Sequence, residues 1–287
     1  MNTQVLSIAE AVADKRQIIK WVIYSLLLVN FAFYIRDDWQ IAIHTMRNGG
    51  TFLEWTGAFA TTIDELAWFM LLFLLELETY VLSDEALQGK ITKMMHGVRI
   101  LCFIFIAHTL YGYGTYVSEV TQDIPVTDVS SLCQLADKDI SYARNLEYTL
   151  LDQTNCAGLS TASQFFYIDP KNFLIVTDTE GLAVERHLAW LDLVEAFVWL
   201  CILVTIELMV RLQDRGITKG RLVRGTYTSK AILYSILWFA IGYWIYKGHY
   251  YFAWDEFLWI MGFVAIELNV SEWRDEIDEA EVTLVAT

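Results

Sequence analysis

The chain has 287 residues, of which 55% are hydrophobic, 15% aromatic and only 19% charged. That balance excludes an unfolded chain and an ordinary soluble domain, and it describes a multi-pass membrane protein. A formal net charge of −15 excludes nucleic acid as a general partner.

Residues 1–19 read as an interfacial N-terminal helix with Val5, Ile8 and Val12 on one face; no small-residue cleavage pattern follows the basic Lys15, Arg16 and Lys20. Hairpin 1 occupies 20–82, with a first membrane helix over 20–35, a polar loop from Arg36 to Thr61 and a second helix over 63–82. Residues 83–117 form a cytoplasmic loop and the third helix, over 99–117. Both prolines, Pro125 and Pro170, fall outside the apolar runs, so the membrane helices are expected to run unbroken.

Residues 118–187 are the one sizeable insertion between apolar runs. Helical spacing at Ile140, Ala143, Leu146 and Leu150 predicts a helix between Cys133 and Asp152. Gln164–Ile168 and Phe173–Thr177 read as short strands around the turn residues Asp169-Pro170-Lys171-Asn172. So small a piece has little core of its own, and a disulfide between Cys133 and Cys156 would brace it in an oxidising compartment. The fourth helix and a basic loop take up 188–230, hairpin 3 takes up 231–271, and an acidic cytoplasmic tail runs over 272–287.

With six spans, the N-terminus, the loops around Lys90 and Arg215 and the C-terminal tail share one side. That side holds most of the Lys and Arg, which makes it cytoplasmic and the insertion extracytoplasmic. The expected fold is an all-α membrane protein: six transmembrane helices as three repeated hairpins in a pseudo-threefold bundle, with a small disulfide-braced α+β insertion.

The repeat behind that expectation is an acid, then Trp four residues on, then Glu-Leu eight beyond that. It occurs as Asp64/Trp68/Glu76, Glu195/Trp199/Glu207 and Asp255/Trp259/Glu267. The helices before these carry a partner pattern, a base four residues ahead of an aromatic: Lys20/Tyr24, Arg99/Phe103 and Lys230/Tyr234. Twelve residues of helix rise about 18 Å, so the acids fall into two layers.

The inner layer, Glu76, Glu207 and Glu267, supports two readings. Each Glu pairs with the base of its own hairpin, Lys20, Arg99 or Lys230, or the three converge on an axis as an ion pathway. For the outer layer, Asp64, Glu195 and Asp255 with Asp192, carboxylates at helix N-termini suit the macrodipole. His187 with Asp192 and His249 with Asp255 are a weaker candidate for a divalent metal at the outer face. His108, within the third helix, is a candidate proton relay, and Asn30 a buried hydrogen-bonding group.

No nucleotide loop, Ser/His/Asp set, zinc-protease helix or haem pair is present, so no enzyme and no cofactor is expected. Three functions remain. The first is a small-cation or proton channel-like pathway using the layered carboxylates. The second is a structural or assembly subunit of a larger membrane complex, in which the same carboxylates are hairpin salt bridges. The third is a metal-dependent enzyme at the outer face. The lipid bilayer is the expected partner, with a homo-oligomer or larger complex around the chain.

Overall fold

The computed structural model describes residues 3–77, 89–213, 215–265 and 267, with side chains from Gln17 onward. Val5, Ile8 and Val12, the 83–88 loop and the tail beyond 267 lie outside the described side chains. The chain is mostly helical: α1 (Thr3–Thr45), α2 (Phe52–Ala58), α3 (Ala60–Glu76), α4 (Lys90–Val120), α5 (Cys156–Leu159), α6 (Thr179–Gln213), α7 (Arg221–Lys247) and α8 (250–265). Five short strands lie between α4 and α6: β1 (Ile124–Pro125), β2 (Ser141–Arg144), β3 (Glu147–Leu150), β4 (Phe165–Tyr167) and β5 (Ile175–Asp178).

Three helical segments are long and apolar enough to cross a membrane, Gln17–Thr45, Lys90–Val120 and Thr179–Gln213. The pair α2–α3, bent by 72°, makes a fourth if it is counted as one span.

The helices are longer than the apolar runs. α1 passes straight through Arg36, Asp37 and Asp38, where a loop was expected, because no Gly or Pro interrupts it before Gly49. Gly49 adopts φ +79, a left-handed conformation open to glycine at little cost. Helix resumes at α2, fixed by a capping box in which Thr51 accepts from the Glu54 amide and the Glu54 side chain accepts from the Thr51 amide. α6 begins at Thr179, nine residues before the expected start at 188, where Asp178 Oδ1 accepts the Gly181 N–H at 2.8 Å. Its 35 residues extend about 52 Å, well beyond the roughly 30 Å of a hydrocarbon core.

The molecule divides into two compact units. One comprises Met1–Ala32, Phe69–Arg99 and Val198–Thr287, and the other Phe33–Trp68 and Ile100–Phe197. In the first, Gly262 of α8 lies against Ile23 and Leu27 of α1, and Leu27 and Phe263 are fully buried.

The second unit contains the sheet, in strand order β1-β4-β5-β2-β3, with β2 and β5 parallel and the other pairs antiparallel. Strands β4 and β5 fall where the sequence places them. The helix expected between Cys133 and Asp152 does not form; β2 and β3 stand there instead. The central strands β2 and β5 are buried on both faces: Tyr142 and Val176 join one core with Leu132, Leu135 and Phe165, while Ala143 and Ile175 join another with Val117, Val120 and Leu182. Burial on both faces removes the alternation that marks a strand, leaving apolar spacing that mimics a helix. The β2–β3 hairpin turns on Asn145 and Leu146, both at positive φ, as a two-residue turn of the primed kind requires. Cys133 and Cys156 are disulfide-bonded, tying the turn at Leu132–Gln134 to α5.

Candidate functional site

Among the described residues of the first unit, three ion pairs join one helix to another. Lys20 and Tyr24 are one helical turn apart on α1 and share a face. Both reach Glu76 of α3: Lys20 Nζ is 3.0 Å from Oε1, and the Tyr24 hydroxyl donates to Oε2 at 3.3 Å. Lys20 is 4% exposed, so its charge depends on that carboxylate for compensation. α7 repeats the geometry toward Glu267, with Lys230 Nζ 2.7 Å from Oε2 and the Tyr234 hydroxyl donating to Oε1 at 2.9 Å. Lys230 also lies 5.0 Å from the centre of the Tyr227 ring. Ser25 and Ser235, each next to the tyrosine, donate back to Trp21 and Ala231 carbonyls at 2.7 Å.

The pair on α4 and α6 is built differently. Arg99 Nη1 is 3.3 Å from Glu207 Oε1, and Arg211, one turn further along α6, approaches Oε2 at 4.0 Å. The aromatic one turn from Arg99 is Phe103, which has no hydroxyl to donate. The guanidinium brings more donors than an ammonium in its place.

The outer acids do not form one equivalent set. Asp64 accepts the indole N–H of Trp68, one turn along the same helix, at 3.0 Å. Asp255, 4% exposed, accepts from Asn30 Nδ2 at 2.7 Å, and the Tyr251 hydroxyl donates to the Asn30 carbonyl at 2.6 Å. Trp199 donates not to Glu195 but across to Glu256 of α8, at 3.0 Å and 3.1 Å to its two oxygens. The helix-start explanation of Asp192 and Glu195 fails: α6 begins at Thr179, so both lie beyond its first turn, where the dipole acts. The tryptophans serve packing as well, with Trp199 and Trp259 both against Phe263, at 5.2 Å and 6.2 Å between ring centres.

In the second unit several polar groups lie on the long apolar helices and on α3. Asp38 of α1 accepts the backbone N–H and hydroxyl of Thr62 at 2.8 Å and 2.7 Å. Thr61 lies 3.4 Å from the Tyr113 hydroxyl of α4, and Tyr113 is within electrostatic reach of Asp64 and Asp192. Glu185, fully buried on α6, accepts from the Tyr116 hydroxyl at 3.3 Å and the Leu146 N–H at 3.1 Å. Asp192 is half-buried, feels the Glu185 charge two turns away, and has no hydrogen-bond donor among the described residues. His108 Nε2 is buried with no hydrogen-bond partner among the described residues.

His187 is exposed, and His249 packs on Trp244 and Phe252 at 5.5 Å and 5.3 Å. Among the described residues no group of three or more His, Cys, Asp or Glu is arranged to hold a metal ion. His44 bonds Ser141 Oγ at 2.8 Å, at the start of β2.

The repeat pattern contained Tyr24 and Tyr234 without marking them as functional, although a hydroxyl one turn from a lysine is a usable signal. Asp38, Tyr113, Tyr116 and Glu185 carry no spacing that sets them apart. Comparison with protein-family models, with curated proteins and with solved structures returned no match.

Proposed function

We propose that this chain is a six-span integral membrane protein built from three hairpins, acting as a structural or assembly subunit of a larger membrane complex. α7 and α8 serve as the fifth and sixth spans, both termini lie in the cytoplasm, and the disulfide-braced insertion faces outward. The observation that carries the reading is the engagement of every inner carboxylate by the base of its own hairpin: Glu76 by Lys20, Glu207 by Arg99, Glu267 by Lys230. A carboxylate closed by a buried cation one helix away is a clasp, and it is poorly suited to exchange with a permeating ion.

A second reading keeps a proton or small-cation pathway, with its carboxylates in the second unit. It is favoured by Asp192, a carboxylate inside a spanning helix that lacks a donor and faces the Glu185 charge. His108 belongs to the same unit as a candidate relay.

One set of measurements separates the two. Gentle solubilisation should yield a defined assembly on native gels, and Glu76→Gln, Glu207→Gln and Glu267→Gln should lower its thermal stability. Proteoliposomes of the purified chain should pass no more protons than empty liposomes. A proton flux in the wild type that disappears in a folded Asp192→Asn variant would overturn the subunit reading in favour of the pathway.

A further inference from the structure

α2 is an apolar helix with no buried residue, joined at 72° to α3, and the two helices are long and apolar enough for a membrane only when taken together. Phe52 is 80% exposed, Leu53 66% and Trp55 38%. A seven-residue helix with this exposure has no protein core to hold it, and its capping box supplies only local stability. If α3 runs along the membrane normal, the bend lays α2 close to the membrane plane, at the depth where tryptophan concentrates.

A second exposed apolar group stands in the insertion. Phe173, in the turn between β4 and β5, holds φ +55, a region that bulky residues avoid. Its ring packs edge-on to Tyr167 at 5.0 Å and remains 47% exposed. Glycine or asparagine would occupy that backbone with less strain, so the phenylalanine stands there at a local cost. Lys171 of the same turn pairs with Glu119 near the end of α4 at 2.8 Å and lies within electrostatic reach of Glu54 on α2. The turn and α2 therefore flank the same end of the spanning helices.

We infer that Phe52, Leu53 and Trp55 of α2 and Phe173 of the β4–β5 turn form one apolar rim that seats the insertion on the outer surface of the lipid bilayer. The inference rests on the membrane reading proposed above: the occupant is lipid because the rim is continuous with α3 and α4, which on that reading cross the bilayer. Shallow insertion of a short apolar face at the headgroup boundary is the binding mode of interfacial helices. The rim would hold the insertion at a fixed height, keeping its disulfide-bonded core in water while the aromatic edge is in lipid.

Nitroxide labels at Phe52→Cys, Phe173→Cys and, as an aqueous control, Gln153→Cys test this in full-length protein in phosphatidylcholine nanodiscs, with Cys102 and Cys201 replaced by Ser. Labels at 52 and 173 are expected to show a several-fold higher ratio of oxygen to nickel-chelate accessibility than the label at 153. Equal ratios at all three sites overturn the inference. Dipolar broadening between labels of different chains, the sign of a second copy on the rim, also overturns it. If the cysteine variants do not fold, hydrogen exchange of the unmodified protein replaces them: α2 amides should exchange several-fold more slowly in nanodiscs than in a short-chain detergent, and equal rates overturn the inference.

Discussion

Lys230 Nζ lies 2.7 Å from one oxygen of Glu267, and Tyr234, a turn along the same helix, donates to the other at 2.9 Å. Lys230 is 6% exposed, so Glu267→Gln strands a charge that water does not reach. Breaking one side of such a pair costs about 3 kcal/mol, while replacing both partners by apolar residues of similar size is close to neutral. Glu267→Gln should therefore lower thermal stability in detergent far more than the double variant Lys230→Met/Glu267→Met. Costs that simply add in a double-mutant cycle would mean that the two side chains do not depend on each other.

The α4–α6 clasp gives a sharper test, because Phe103 stands where the other two place tyrosine. Arg99 must satisfy Glu207 without a phenol, and Arg99→Lys removes donors that nothing replaces. That substitution is expected to destabilise by about 1.5–3 kcal/mol, the range of a hydrogen bond to a charged group. Adding Phe103→Tyr should restore most of the loss, since Lys and Tyr one turn apart both reach the carboxylate on α1 and on α7. Phe103→Tyr alone should gain little. If the double variant is as unstable as Arg99→Lys, the lysine–tyrosine pair is not an interchangeable unit.

How far the residues revealed this arrangement depended on range and burial. Lys20 and Glu76, Arg99 and Glu207, and Lys230 and Glu267 can be grouped from spacing because the same offsets recur on successive helices. Asn30 meets Asp255 across 225 residues of chain, and Trp199 reaches Glu256 rather than a residue at a repeat offset, so packing alone decides those partners. β4 and β5 are legible because Asp169-Pro170 marks the turn between them. β2 and β3 are not, because β2 is buried on both faces and the turn that joins them uses Asn145-Leu146 without a glycine. The Thr51/Glu54 capping box was present in the residues and marks α2 by a local rule. The run of α1 through Arg36–Asp38 shows that charge alone does not end a helix.

The Cys133–Cys156 disulfide closes a loop across a sequence separation of 23 and joins two short elements that have few residues of their own to bury. Chain-entropy arguments give such a loop about 3 kcal/mol. Cys133→Ala/Cys156→Ala should lower the midpoint of insertion unfolding, read by faster hydrogen exchange in β2 and β4 than in α6. The wild type treated with reductant should show the same pattern. Unchanged exchange in both would mean that the core around Leu132, Leu135 and Phe165 is sufficient without the bridge.

Asp169 sets a pH dependence of opposite sign to its neighbour on the same sheet. Burial pushes its carboxyl up to about 6, against the backbone N–H groups of Leu174 and Ile175 that it accepts at 2.7 Å and 2.9 Å and which favour the charged form. A folded-state value above the ordinary value near 4 contributes stability that is complete below about pH 4 and is lost as pH rises through about 6. Asp178 works the other way. Burial would raise it, but Ser160, the Gly181 N–H and Tyr142 hold it below its ordinary value, so its contribution is lost in acid. Subtracting an Asp169→Asn variant cancels Asp178 and leaves Asp169 alone, because asparagine keeps one acceptor oxygen and does not titrate. The stability of the full-length wild type minus that of Asp169→Asn should be most favourable at about pH 4 and should decline steadily to pH 7. A difference that stays flat across that window would show that the carboxylate ionises at its ordinary value in the folded turn, and one that grows with pH would show that the Leu174 and Ile175 N–H groups outweigh its burial.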